Sequence, residues 1–378
     1  MKVGLIVNPI AGMGGKVALK GTDGVVEEAI KRGAKPIALE LAKVFLRELS
    51  HYDEVKKLKF LTGMRELGEY AFNGLNIEFK VLKHRNFSYK IVEGIKIPET
   101  SAEDTKELVR LMLENGVKLI IFAGGDGTAR DIYSVVKNTI PILGIPTGVK
   151  MYSGVFASSP EDAAKIVIAF LNDKAEIKDE EILDIDEESF RKDIIRVKKF
   201  GTAKTPYAKD LMPGAKEPTP INENEDIEAI VEALIEELED GIYFLGSGST
   251  LKLLKDKLGI DGTLLGIDIV TIEKGKAKLI VKDAQEKDLL CFVNHKPKII
   301  ITPIGGQGFL FGRGNQQFSA EVLRHVPKEN IIVIATASKL SHSKVLRIYT
   351  GDEEVDRKFK GFIKVRISPW SEKMVKVV

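Results

Sequence analysis

The residues with the most chemical content are Gly124-Gly125-Asp126-Gly127-Thr128-Ala129-Arg130-Asp131, which follow the apolar run Ile120-Ile121-Phe122-Ala123. Three glycines surround one carboxylate, and a hydroxyl and a guanidinium come directly after. An apolar run of this length before glycine reads as a buried strand of a parallel sheet. Ile132, Val135 and Val136 continue at helical spacing, so a helix begins at Thr128. The turn thus joins a strand's carboxyl end to a helix's amino end, where unpaired N–H groups and the helix dipole favour an anion. The N–H groups of Gly124, Gly125 and Gly127, with the Thr128 hydroxyl, suit phosphate oxygens, because glycine lets the backbone approach closely. A carboxylate does not belong beside phosphate unless it serves a metal, a hydroxyl proton or a ribose. Asp126 is therefore a candidate general base for an acceptor hydroxyl, or a ligand of Mg²⁺ brought with a nucleotide. Arg130 reaches either a phosphate or a neighbouring carboxylate.

Other polar residues fall at further strand ends. Val3 to Val7 reads as a first buried strand, followed by Asn8-Pro9 and a loop with Gly12, Gly14 and Gly15; Lys20-Gly21-Thr22-Asp23-Gly24 is a second turn. Open α/β sheets bind ligands beyond strand ends, which places Asn8 with the phosphates and Asp23 with the substrate. Thr147, Gly148, Lys150 and Tyr152 follow the strand of residues 140–145. Lys150 would balance phosphate charge, and Tyr152 would stack on a base. Late in the chain, Gly305-Gly306-Gln307-Gly308 and Gly312-Arg313-Gly314-Asn315-Gln316-Gln317 combine backbone freedom with guanidinium and amide donors. Arg suits bidentate phosphate recognition, and Asn and Gln suit base edges and sugar hydroxyls. Gln307, Arg313, Asn315 and Gln316 are read as a lid over the substrate. The histidines at 51, 84, 295, 325 and 342 are scattered and build no metal or triad spacing.

The Gly124–Thr128 string resembles the signature shared by NAD kinases, diacylglycerol kinases and phosphofructokinases, and Gly4-Leu5-Ile6-Val7-Asn8-Pro9 resembles their first strand. With residues 148–152 and 305–317, the chain is similar over most of its length to the ATP-NAD-kinase-like proteins. The resemblance implies phosphoryl transfer from ATP or polyphosphate to the 2′-hydroxyl of NAD, giving NADP. It also implies Mg²⁺ carried with ATP, and a role for Asp126 at the acceptor hydroxyl. Alternatives are a kinase of another small hydroxyl metabolite, or a nucleotide-binding sensor without turnover. The chain departs from the better-known NAD kinases in its second half. Their Thr/Ser-rich substrate segment is not found, and Asn222-Glu223, which matches their Asn-Glu pair superficially, lies in a polar Pro-rich stretch. Substrate identity is put in doubt more than phosphoryl transfer.

The elements that must position these residues alternate. Helical spacing covers 36–50, 65–72, 101–115 and 160–171, with strands at 77–82, 118–122 and 140–145 between them. Such alternation implies a parallel sheet with right-handed crossovers. Composition changes after Leu171. Short charged strands fill 175–200, a Pro-, Gly- and Lys-rich loop fills 201–224, and an acidic helix runs over 227–238. A second strand–turn–helix follows at Gly246-Ser247-Gly248-Ser249-Thr250. The expected fold is α/β: a Rossmann-like parallel-sheet domain over 1–172 faces a mixed, β-rich substrate domain over 173–378 across a cleft. The C-terminal segment has room to pack back on the first domain.

A chain of 378 residues, 44% hydrophobic and 30% charged, buries a substantial core. A net charge of +2 gives no case for nucleic-acid or anionic-membrane binding. The one cysteine, Cys291, leaves no intramolecular disulfide and fits a cytoplasmic protein. No apolar run reaches the ~18 residues of a membrane span, and the start runs straight into Asn8-Pro9 with no signal-peptide pattern. The expected partners are the small molecules NAD and ATP, with a homo-oligomer left open.

Overall fold

The computed structural model describes residues 1–378 except 20–21, 23, 149–150, 186–196, 209–210, 214–223, 342 and 344. The chain forms two compact units. The first comprises Met1–Gly14, Gly21–Phe190 and Ile194–Ala215, and the second Gly15–Lys20, Arg191–Asp193 and Lys216–Val378.

The strands of the first unit are β1 (Lys2–Val7), β2 (Lys59–Gly63), β3 (Phe79–Leu82), a small hairpin of β4 (Tyr89–Val92) and β5 (Ile95–Pro98), β6 (Ile120–Gly124) and β7 (Ile142–Pro146). Five of them make one parallel sheet in the order β3-β2-β1-β6-β7. Its helices are α1 (Val26–Lys31), α2 (Ala38–Leu49), α3 (Ala102–Glu114), α4 (Asp126–Val136) and α5 (Pro160–Leu171). Side chains alternate across a strand, and the core divides accordingly. Val3, Leu5, Val7, Ile121 and Ala123 pack with α2 and α5. Ile6, Ile120 and Phe122 pack with α3 and α4. Both faces are covered, which is why the strands read as continuous apolar runs. Ser101 and Asp104 form the expected capping box at the start of α3. Two more strands, β8 (Glu176–Ile185) and β9 (Val197–Tyr207), pair antiparallel and belong to this unit.

Two expected elements differ. Residues 65–72 are two short 3₁₀ turns, because Gly68, at φ +140°, breaks the chain between them. Residues 201–207 are strand rather than loop, held by cross-strand pairing from Glu176 to Ile182.

In the second unit, α6 (Asn224–Glu236) precedes β10 (Gly241–Leu245), and α7 (Ser249–Lys257) follows it. The remaining strands are β11 (Asp268–Glu273), β12 (Lys276–Val281), β13 (Lys298–Ile301), β14 (Phe309–Phe311), β15 (Ile331–Ile334), β16 (Arg347–Ile348), β17 (Gly361–Ser368) and β18 (Ser371–Val377). The main sheet has seven strands in the order β12-β11-β10-β13-β15-β17-β18. β10, β13, β15 and β17 run parallel, and antiparallel pairs flank them at both edges. This is the mixed, β-rich second domain, with an α/β centre. The C-terminal strands belong to this sheet.

Candidate active site

In the first unit the chain passes from β1 to β2 and β3 on one side and to β6 and β7 on the other. The loops after β1 and β6 therefore diverge, and a crevice opens at this switch point. A cavity of about 310 Å³ lies there. Its lining includes Asn8 to Gly12 from the β1 loop, Gly125 to Thr128 from the β6 turn, Thr105 from α3, and Asp184 from β8.

Gly125 is the N-cap of α4 and Asp126 its first residue, and among the described residues no side chain caps this end. The first-turn N–H groups are thus left for an anion. Gly124 must be glycine, since a Cβ there would lie 2.6 Å from the Thr128 Cβ. That closeness brings Thr128 back over the strand end, where its Oγ1 accepts from Asn8 Nδ2 at 2.9 Å. The Thr128 O–H remains as a donor. Gly12, at φ +81°, presses in the same way on the residue that follows β7: a Cβ there would lie 2.0 Å from the Thr147 carbonyl oxygen.

Asp126 is buried, at 3% exposure. Its Oδ2 accepts from the Tyr152 N–H at 2.6 Å, and its Oδ1 accepts from the Ser153 N–H at 3.0 Å and the Ser153 hydroxyl at 2.6 Å. Burial pushes its carboxyl up to about 7; the bonds from Ser153 and Tyr152 oppose this, and the Asp184 charge adds to it. A carboxylate accepts about four hydrogen bonds, so among the described residues one lone pair of Oδ2 stays available. Arg130 is paired with Asp184, Nη1 to Oδ2 at 2.6 Å, and lies 3.6 Å from Asp131. Its guanidinium stands over the Phe200 ring of β9.

The ATP-NAD kinase N-terminal domain matches residues 3–175, and the ATP-NAD kinase C-terminal domain matches residues 238–377. The chain belongs to the ATP-NAD kinase family. Membership makes it a kinase of that group, a phosphotransferase acting on small molecules. No curated protein matches the chain. Among solved structures, a conserved domain protein from Vibrio cholerae O1 biovar El Tor str. N16961 covers 95% of this chain and 82% of its own. It shares 12% identity at a TM-score of 0.26, too low to relate the two folds.

Within this family member the first unit gathers Asn8, Gly124 to Thr128, Arg130, Thr147, Gly148 and Tyr152 around one strand edge. Tyr152 contributes its backbone N–H, while its side chain is buried. Lys150 and Asp23 lie outside the described residues, as does Asn222-Glu223. In the second unit, Gly305 and Gly306 turn the chain between β13 and β14, and Gln307, Arg313 and Asn315 are buried. The Arg313 guanidinium stands 4.4 Å from the Phe309 ring centroid and 3.5 Å from Gln307 Oε1. Asn315 donates to the Leu310 carbonyl at 2.7 Å, leaving its Oδ1 without a partner among the described residues. Gln316 Cβ would lie 3.0 Å from a Cβ on Gly15. Ser153, Asp184, Asp131 and Thr105 are among the polar residues of the first site that sequence reasoning missed. Asp131 sits one position after Arg130, whereas Thr105 lies on α3, Ser153 in the loop after β7 and Asp184 on β8.

Proposed function

We propose that the protein transfers the terminal phosphoryl group of ATP, or of polyphosphate, to the 2′-hydroxyl of NAD, giving NADP. Asp126 carries this reading: a buried carboxyl, brought to about 7, at a helix N-terminus that no described side chain caps, at the switch point of a family kinase. Phosphoryl transfer needs phosphates held, charge neutralised and the acceptor hydroxyl aligned. The α4 N-terminus, with Asn8 and Thr128, serves the phosphates. Asp126 takes the acceptor proton, and a base poised near neutrality does so best; such assistance contributes about 10²–10⁴-fold in rate. Mg²⁺ arrives as part of the nucleotide substrate. The oxygen-rich lining suits a hard cation already held by phosphates, and among the described residues no three His, Cys, Asp or Glu side chains build a cage alone. Gln307, Arg313, Asn315 and Gln316 are assigned to the acceptor's hydroxyl and base edges.

A second reading is a smaller hydroxyl acceptor. A cavity of about 310 Å³ lies at the lower end of ligand pockets, about 300–1,000 Å³. A screen of hydroxyl acceptors with ATP and Mg²⁺, scored by a mass gain of one phosphate, decides between them. Conversion of NAD supports the first reading. Conversion of another metabolite with none of NAD establishes the second. Tight dinucleotide binding with no conversion of any acceptor would make the protein a sensor.

A further inference from the structure

Asp126 and Arg130 stand one helical turn apart on α4, and both are tied to consecutive residues of β8. Arg130 pairs directly with Asp184. Asp126 reaches Leu183 through Ser153, which is 2% exposed. The Ser153 Oγ lies 2.6 Å from Asp126 Oδ1 and 2.9 Å from the Leu183 carbonyl oxygen, and accepts from the Leu183 N–H at 3.0 Å. A hydroxyl has one proton. Its two acceptors therefore compete: the carboxylate claims the proton when ionised, and the Leu183 carbonyl takes it when Asp126 carries its own. A residue that only stapled β8 in place would need the Leu183 contacts and nothing from the carboxylate.

We propose that Ser153 is the positioning residue of the general base, holding the Asp126 carboxylate against β8 and favouring its ionised form through one hydroxyl. The catalytic consequence rests on the kinase reading above. Among the described residues, the charged and titratable groups around Asp126 are Arg130 and Asp131 on α4, Asp184 on β8, and Tyr152 in the loop after β7. Glu180 of β8 lies against Gly154, next to Ser153. The Asp184 charge opposes ionisation of Asp126, and the Ser153 and Tyr152 hydrogen bonds favour it.

The test is Ser153→Ala, with Ser153→Thr as the variant that keeps the hydroxyl. The acidic limb of kcat/KM for the acceptor should move upward by about one to two pH units in the Ala variant, as expected for a lost hydrogen bond to a charged group. At neutral pH kcat should fall about tenfold or more, with KM for the phosphate donor unchanged. Thr should restore both. A carbon-13 NMR titration of the Asp126 carboxyl, assigned by its absence in Asp126→Asn, should show the same shift without turnover. If no acceptor is ever phosphorylated, the kinase reading fails while this titration still decides the role of Ser153. An Ala variant that titrates with wild type overturns the proposal. Should Ala not fold, Ser153→Cys keeps the volume and weakens the donor; its titration must also rise, and a wild-type value overturns the proposal equally.

Discussion

Asp126→Asn should make the protein relatively more stable as pH rises, and the size of the effect follows from the site. An ordinary Asp titrates at 3.8, and burial brings Asp126 to about 7 in the fold. Between these values the unfolded chain is ionised at this residue and the folded chain is not, so folding takes up a proton. The contribution to stability is full below the unfolded value and is lost as pH rises through the folded value. Each unit is worth about 1.36 kcal/mol, so wild type loses about 3 kcal/mol from this group between about pH 5 and pH 8. Asn does not titrate and escapes the loss. It does pay locally, because its amide N–H₂ meets the Tyr152 N–H where the carboxylate accepted, a cost of about 1–3 kcal/mol. That cost is independent of pH and cancels when the variant is compared with itself. Denaturant titrations of both proteins at several pH values give the difference directly. It should shift by about 3 kcal/mol in favour of Asn from pH 5 to pH 8. A difference that stays flat would show Asp126 titrating as an ordinary carboxylate, and the neutral-pH base would be lost with it.

Four further outcomes follow from the same geometry. The wild-type kcat/KM for the acceptor should fall about tenfold per pH unit below about 7, as a steady-state pH profile with saturating donor will read. Gly124→Ala drives a Cβ into Thr128 at 2.6 Å; the KM for the donor should rise and the melt should show a loss of about 1–3 kcal/mol. Arg130→Ala leaves Asp184, 10% exposed, without its guanidinium; thermal unfolding should show a loss of about 1–2 kcal/mol, between surface and buried pairs, relieved in the double variant with Asp184→Asn. Arg313→Ala should lower the acceptor's specificity constant by about 1.5–3 kcal/mol while leaving donor KM alone, and kinetics with each substrate varied will show whether it does.

The parts of this fold legible in the sequence are those whose signals are local. β6, the Gly-Gly-Asp-Gly-Thr turn and α4 are contiguous, so run length, glycine and helical spacing suffice. The same holds for α5, where Ser159 caps and Pro160 begins the helix, and for α3 with its capping box. The hairpin of β4 and β5 went unread because Glu93-Gly94 is a less familiar turn pair than Asn-Gly, although both residues take positive φ. The strand at 201–207 was hidden because Gly201, Lys204 and Pro206 read as loop until seven residues of β8, Glu176 to Ile182, pair with it. The partners of Asp126 and Arg130 were illegible for a different reason. Ser153 lies 27 residues downstream of Asp126 and Asp184 54 residues downstream of Arg130, and nothing in their neighbourhood marks them until β7 and β8 carry them to α4. Arg130 was read as reaching either phosphate or carboxylate, and the fold supplies the carboxylate.

Whether Asp126 is the base for a phosphoryl transfer to NAD is decided by incubating wild type and Asp126→Asn with NAD, ATP and Mg²⁺ and measuring NADP with a dehydrogenase that accepts only NADP. Wild type should form NADP, and the Asn variant should bind nucleotide as wild type does yet form NADP at least about 10²-fold more slowly. An Asn variant forming NADP at the wild-type rate would contradict the account, because a carboxamide cannot take the hydroxyl proton.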